Sequence, residues 1–351
     1  IRLIEKGGVD RTFFEKAQAH FVGLLERAFE PGRDRDVAEA MLLGVKTKID
    51  FETLSAYSAL GAIHILSVSG LHVGLLYMGL SLMLGFLLKR RPAGPYVFFG
   101  LMMALLWCYA GISGFSLPVL RSAWMFSVIL FGKTFLRRQE SLNTLAFSAF
   151  VLLFLHPASL FDAGFQLSYL AVWGLIVFQQ RWASVFQFRG WLRWPLTQIW
   201  ELTCVALAAQ VLTWPLIVYY FHQFPGLFFI TNLVIIPSLT LILITGMVSI
   251  LLSALGIYFT LLVEFLSGLI GFMNEYVRYV SSYEQFIIKD IPFNYSILLC
   301  SLLTIICIIL YIKKPTLKGS IITLTTLLIF QISIIGSLAF HKNQNEFIIF
   351  K

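Results

Sequence analysis

The sequence predicts an all-α fold, a polytopic membrane bundle of about ten transmembrane helices preceded by an amphipathic helix. Two observations carry this. Of the 351 residues, 58% are hydrophobic and only 13% are charged, whereas a soluble domain carries about 25% charged residues. The apolar residues also gather into runs long enough to cross a bilayer, which takes roughly 20 residues of helix. The net charge of +8 then belongs to loops at a membrane surface rather than to a nucleic-acid-binding face. Cys108, Cys204, Cys300 and Cys307 lie inside apolar runs with neither a C-x-x-C pair nor a zinc-type histidine spacing. They read as small apolar residues, and no metal or cofactor is expected.

In chain order, the first residue is Ile and no cleavable signal precedes the first span, so the chain reads as a piece of something longer. Residues 11–62 read as amphipathic or interfacial helices. Phe13, Phe14, Ala17, Phe21, Leu24, Leu25 and Ala28 recur at helical spacing, with Arg11, Glu15, Lys16, Glu26 and Arg27 on the other face. Pro31-Gly32 stops that helix, and Asp50 is placed to cap a later one. The transmembrane region is 63–340. Its spans run at about 63–88, 95–113, 117–136, 142–156, 160–180, 198–221, 226–253, 256–283, 293–312 and 320–340. Residues 341–351 read as a polar linker and a β-prone run, Glu346-Phe-Ile-Ile-Phe-Lys351, the first strand of a truncated soluble domain.

Loop charge gives an orientation. Lys89, Arg90 and Arg91 follow the first span, Arg137 and Arg138 the third, Arg181, Arg189 and Arg193 the fifth, and Lys313, Lys314 and Lys318 the ninth. The intervening loops carry almost no Lys or Arg. The basic loops are therefore cytoplasmic, and both termini lie outside.

Polar residues inside such spans mark sites by default. Under this orientation the outer half of the bundle receives Ser69 and His72 from the first span, Arg121 from the third, Asp162 and Gln166 from the fifth and Asn232 from the seventh. Gln210 in the sixth continues the path. Gly70 and Gly74 form a G-x-x-x-G step that lets another helix approach. Gly114, Pro118, Gly164 and Pro237 are assigned to helix packing with them. Each polar residue also has a plainer role. Arg121 can snorkel, Asp162 can cap a helix, and Gln166 and Asn232 can join helices by hydrogen bonds. Trp182, Arg189, Trp191 and Arg193 mix aromatics with cations in one loop, as an interfacial anchor does. The same composition suits a single nucleic-acid strand.

Four segments occur in order: His64-Ile-Leu-Ser-Val-Ser-Gly-Leu-His72-Val-Gly-Leu, Ser113-Gly-Phe-Ser-Leu-Pro-Val-Leu-Arg121-Ser-Ala, Asp162-Ala-Gly-Phe-Gln-Leu-Ser-Tyr169 and Asn232-Leu-Val-Ile-Ile-Pro237. Together they resemble the membrane-embedded competence domain of the ComEC family of bacterial DNA-uptake channels, over about residues 35–340. The resemblance implies an inner-membrane channel passing single-stranded DNA into the cytoplasm during natural transformation. It also implies an OB-like domain before or within the N-terminal part, of which residues 1–10 would be a remnant, and a metallo-β-lactamase-like domain after the membrane region, whose first strand would be Glu346–Lys351. His72, Arg121, Gln166 and Asn232 inherit the expectation of lining or shaping the channel.

No H-x-H-x-D-H zinc motif and no G-x-x-x-x-G-K-[ST] loop occur, so this stretch is expected to be no enzyme and to draw its driving force from a cytoplasmic ATP-driven motor. A periplasmic or surface DNA-delivery protein and the lipid bilayer complete the expected partners. Whether the path lies in one protomer or in a homo-oligomer is open at this stage. Two rivals use the same residues: a membrane-embedded enzyme built on Ser69 and His72, and a proton-coupled small-solute transporter relaying through His72, Arg121 and Asp162.

Overall fold

Short polar residues start three of the helices. Asp50 Oδ1 accepts the backbone N–H of Thr53 at 3.0 Å, Asp162 Oδ1 that of Phe165 at 2.7 Å, and Asn294 Oδ1 that of Ile297 at 3.0 Å. Each satisfies an amide that the first turn of a helix leaves without an intrahelical partner. The computed structural model describes residues 13–349, apart from Ser67, Leu87, residues 89–92 and 136–139, Gln187 and Tyr258. The first ten residues and the basic loop residues Lys89, Arg90, Arg91, Arg137 and Arg138 lie outside that set.

The chain is nearly all helical. It runs α1 (Phe13–Ala28), α2 (Arg33–Leu43), α3 (Phe51–Ala59), α4 (Gly70–Leu84), α5 (Gly94–Ile112), α6 (Leu117–Phe135) and α7 (Ser141–Leu155). There follow α8 (Ala163–Gly174), α9 (Arg193–Phe221), α10 (Phe228–Ala254), α11 (Thr260–Ser281), α12 (Tyr295–Lys313) and α13 (Leu317–Ile349). Two-residue strands β1 (Phe224–Pro225) and β2 (Ile287–Ile288) pair antiparallel, Phe224 opposite Ile288 and Pro225 opposite Ile287.

Among the described residues, five helices are long and apolar enough to cross a membrane: α5, α9, α10, α12 and α13. Helices α4 and α7 are apolar but 15 residues each. Helix α11 is not among the five. It carries Glu264, Glu275 and Arg278, and its buried Leu266, Ile270, Met273, Asn274 and Val277 fall on one helical stripe. The expected strand is corrected over residues 346–349, where the chain stays helical through Ile349; Phe350 and Lys351 lie outside the described residues. Extending an existing helix adds a hydrogen bond with each residue fixed.

Two compact units share the chain. One holds the residues up to 159 together with Ile230–Tyr283, and the other holds Leu160–Phe229 and the residues from 284 onward.

In the first unit, α2 is buried from Val37 to Leu43, and Val37, Ala38, Ala40 and Met41 have no exposed surface. Helix α11 packs on α2 and α3. The glycines of α10 and α5 admit side chains from the N-terminal helices, so a Cβ at Gly246 would sit 2.6 Å from a Leu42 methyl, and one at Gly111 would overlap the ring of Phe14. Asn274 of α11 joins three helices. It accepts from Tyr57 Oη at 2.8 Å and donates to Asp34 Oδ1 at 2.8 Å. Helices α4, α5 and α6 close around Val73, Leu76, Leu106, Ala110, Val119 and Ala123.

Charge ties α1 to this unit. Lys48 donates to Glu26 of α1 at 2.8 Å and reaches the fully buried Glu39 of α2 at 3.1 Å. The hydrogen bond from Lys48 holds the Glu26 carboxyl below its ordinary 4.5, and the bonds to Glu26 and then Glu39 hold the Lys48 ammonium above its ordinary 10.5. A depressed carboxyl stabilises the fold above its unfolded value and loses that as pH falls, and a raised ammonium does the converse. Docking of α1 is therefore expected to be firm from about pH 5 to 10 and to loosen below about 4.5. Hydrogen exchange in α1 across acid pH checks this, and Lys48→Met should remove the pH dependence.

In the second unit, α8 lies along α9. A Cβ built on Gly174 would run into the carbonyl oxygen of Ala208, so only glycine lets the two backbones come this close. A π-helical stretch, Leu175–Gln179, begins at the next residue and leads into a last turn, Gln180–Ala183. Helix α12 packs on α9 and α13. Beyond α9, Ile291 N–H donates to His222 O at 2.9 Å and Gly226 N–H to Phe286 O at 2.9 Å, which fixes the β1–β2 ribbon against the end of the helix.

Candidate functional site on the membrane helices

The first unit holds Ser69, His72, Arg121 and Asn232, and the second holds Asp162, Gln166 and Gln210. The start of α4 is the most developed of these. Its N-cap, Ser69, has extended backbone, and His72 sits three residues on. His72 Nδ1 accepts the backbone N–H of Ser69 at 3.1 Å and lies 2.9 Å from Ser69 Oγ. A ring nitrogen that accepts a backbone N–H carries no proton, so the proton is on Nε2. That nitrogen is buried and has no hydrogen-bond partner among the described residues.

Gly70 and Gly74 both face α6. A Cβ on Gly70 would be 2.9 Å from Ser122 Oγ, and one on Gly74 would be 3.2 Å from the ring of Phe126. The two glycines and the two α6 residues share the same four-residue step, so a ridge of one helix lies in the groove of the other. Arg121, beside Ser122, is 7% exposed and so is not laid out along the surface of this unit. Asn232 is half-buried on α10, next to the fully buried Thr231. Pro237 stands exposed inside the same helix.

In the second unit, Asp162 caps α8 and Gly164 lies in the turn it caps. The Gln166 amide is used on both sides. Nε2 donates to Leu160 O at 2.8 Å, and Oε1 accepts from Tyr220 of α9 at 3.1 Å. This is the role of a polar joint between helices. Gln210 stands on the wall of a cavity of about 500 Å³ whose other lining residues are apolar or aromatic. Among the described residues no three of His, Cys, Asp or Glu come together to hold a metal.

Residues 41–315 match the family described as Competence protein. The chain belongs to this competence family. Over 296 residues it is 30% identical to ComE operon protein 3 of Bacillus subtilis, covering 84% of this chain and 36% of that protein. It is 26% identical to Recombination protein 2 of Haemophilus influenzae over 222 residues, which is 58% of this chain and 27% of that protein. The chain thus spans about a third of the length of the curated relatives it matches. No solved structure matches it significantly.

All seven polar residues fall inside the stretch that matches the competence family. So does the loop before α9. There Trp191 is 90% exposed with Arg189 exposed before it, and Arg193 and the 75% exposed Trp194 follow where α9 begins. Trp182 is held differently, stacked on Phe178 and accepting at its carbonyl from Trp200 Nε1 at 3.1 Å. Sequence reasoning missed three contributors: Ser122, the Tyr220 partner of Gln166, and Trp214 in the cavity wall. Ser122 had a signal, since Ser122 and Phe126 repeat the spacing of Gly70 and Gly74. The other two depend on contacts across tens of residues.

Proposed function

We propose that this chain is the membrane part of an inner-membrane conduit that passes single-stranded DNA into the cytoplasm during natural transformation. Arg121 carries the reading. It is a permanently charged group kept inside an apolar helical unit, one residue from the contact between α6 and the start of α4. Such a residue is costly at membrane depth and marks a substrate or ion path by default, and its sign suits an anion. A strand with one charge per nucleotide needs cationic and dipolar lining, with contacts weak enough to let it move. Membership in the competence family supports DNA uptake as the process.

The reading takes about ten spans, with α4, α6, α7, α8 and α11 crossing beside the five long apolar helices. Basic loops then face the cytoplasm, both termini lie outside, and α1 lies on the membrane surface. The partners are a DNA-delivery protein outside, an ATP-driven motor inside, and the soluble domains of the longer protein. We read the chain itself as non-enzymatic. His72 Nδ1 is shared between the Ser69 amide and hydroxyl, and Nε2 meets no orienting acid among the described residues, so the third member of an activated-serine arrangement is not in place. A proton relay through Asp162 is also disfavoured, because Oδ1 accepts the N–H that caps α8.

The test is uptake of labelled DNA by cells carrying the full-length protein with Arg121→Ala, scored beside its abundance in the membrane. Uptake should fall on the order of tenfold or more at normal abundance. Unchanged uptake would remove Arg121 from the path.

A further inference from the structure

The second unit contains a cavity of about 500 Å³. One wall is α9, through Leu207, Val211 and Trp214; the opposite wall is α13, through Ile334 and Leu338. The ribbon and the chain before α12 close one end, and Ser337 Oγ of α13 donates to Pro292 O at 3.0 Å at that edge. Trp214 is set between Phe293 and Phe330, edge-on to both at 6.1 and 6.0 Å. The only polar side-chain groups in the lining are the Gln210 amide and the Trp214 indole N–H.

We propose that this cavity holds one acyl chain of a membrane phospholipid. Its size falls within the range of roughly 300–1,000 Å³ typical of ligand sites. Water needs two to four polar partners at each position, and this lining does not offer them. A dry void would leave the wall atoms without contacts on one side. A phosphodiester strand would lose its hydration against a hydrocarbon surface, so the cavity is no part of a DNA path. Both wall helices are long and apolar enough to cross a membrane, and no residue of α13 from Leu317 to Leu338 is buried. The solvent at the cavity is therefore hydrocarbon. From Leu207 to Val218 the α9 wall rises about 16 Å at 1.5 Å per residue. One leaflet contributes about 15 Å to a hydrocarbon core of about 30 Å. The site accepts one chain of the leaflet on the ribbon side.

Trp214 supplies the reporter. The full-length protein is placed in nanodiscs whose phospholipid carries bromine in mid-chain, and Trp214→Phe is subtracted to isolate the emission of Trp214. The expected result is at least twofold quenching of that emission relative to unbrominated lipid. Val211→Phe fills the cavity from α9 and Ile334→Phe fills it from α13, and either should at least halve the quenching of Trp214 while leaving that of the other tryptophans unchanged. Two results would overturn the proposal. One is an unquenched Trp214. The other is quenching that persists undiminished in whichever filled variant folds, because the lipid would then touch the helix only from outside. Neither outcome bears on DNA uptake, so this proposal and the conduit reading fail separately.

Discussion

Gly174→Ala is expected to cost about 3 kcal/mol, at the upper end of what overpacking a well-packed contact costs. The added methyl would meet the carbonyl oxygen of Ala208, which is backbone in the middle of α9 and cannot swing aside as a side chain can. The two helices would have to separate, and Phe178, Ala208 and Leu212, which form the core there, would lose contact. Thermal unfolding of the purified protein in one detergent measures the loss. Gly268→Ala is the control. It lies on an exposed position of α11 with nothing within 4 Å of the new Cβ. There the change should be neutral or stabilising by about 0.5–1 kcal/mol, because alanine is the better helix former. Equal effects at the two positions would show that the approach of α8 to α9 is not tight.

Asn274→Leu is the second large effect, and it acts through orphaned groups rather than through volume. Leucine is close to asparagine in shape but can neither accept from Tyr57 nor donate to Asp34. Tyr57 is 1% exposed, and burial first, then the charge of Asp34, raises its pKa, so it stays a protonated donor at ordinary pH. A buried donor left unsatisfied costs about 1–3 kcal/mol, and the half-buried Asp34 loses its partner at the same time. The expected loss is therefore about 3 kcal/mol, with α11 released first in hydrogen exchange. Tyr57→Phe should cost less, since it orphans only Asn274 Oδ1. The two changes together should cost less than their sum, because both cut the same bond. A strictly additive pair would mean that the bond contributes nothing.

What could be read from sequence was local. Asp50 and Asp162 announce their helices because a short side chain before an apolar run meets the amide three residues on. The pairing of Ser69 with His72 follows from their spacing on one helical face. The five long apolar helices are legible for the same reason, since length and apolarity are properties of a single segment. What was hidden depends on distance along the chain. Gly174 is one small residue inside an apolar run, and nothing nearby says that Ala208 will arrive against it. Helix α2 is charged at its start, as a surface helix would be, and the burial of Val37–Leu43 needs α10 and α11. Helix α11 matches a span in length, while its stripe of Leu266, Ile270, Met273, Asn274 and Val277 is spent on protein. Phe347, Ile348 and Ile349 have strand-forming side chains, yet a helix already under way continues through them. The candidate residues were picked one span at a time, and Tyr220, which reaches Gln166 across 54 residues, came only with the packing.

The burial of α2 also sets a timetable. Asp34 and the Asn274 that holds it are 240 residues apart. At about 5–20 residues per second, a ribosome that has finished α2 needs roughly 12–50 seconds to reach its partner in α11. Throughout that interval Val37, Ala38, Ala40, Met41, Leu42 and Leu43 have no finished surface to bury against, although the helices between are already being delivered to the bilayer. The first unit is therefore assembled from its two ends in time, and α2 has to be sheltered by membrane or chaperone until the later helix comes.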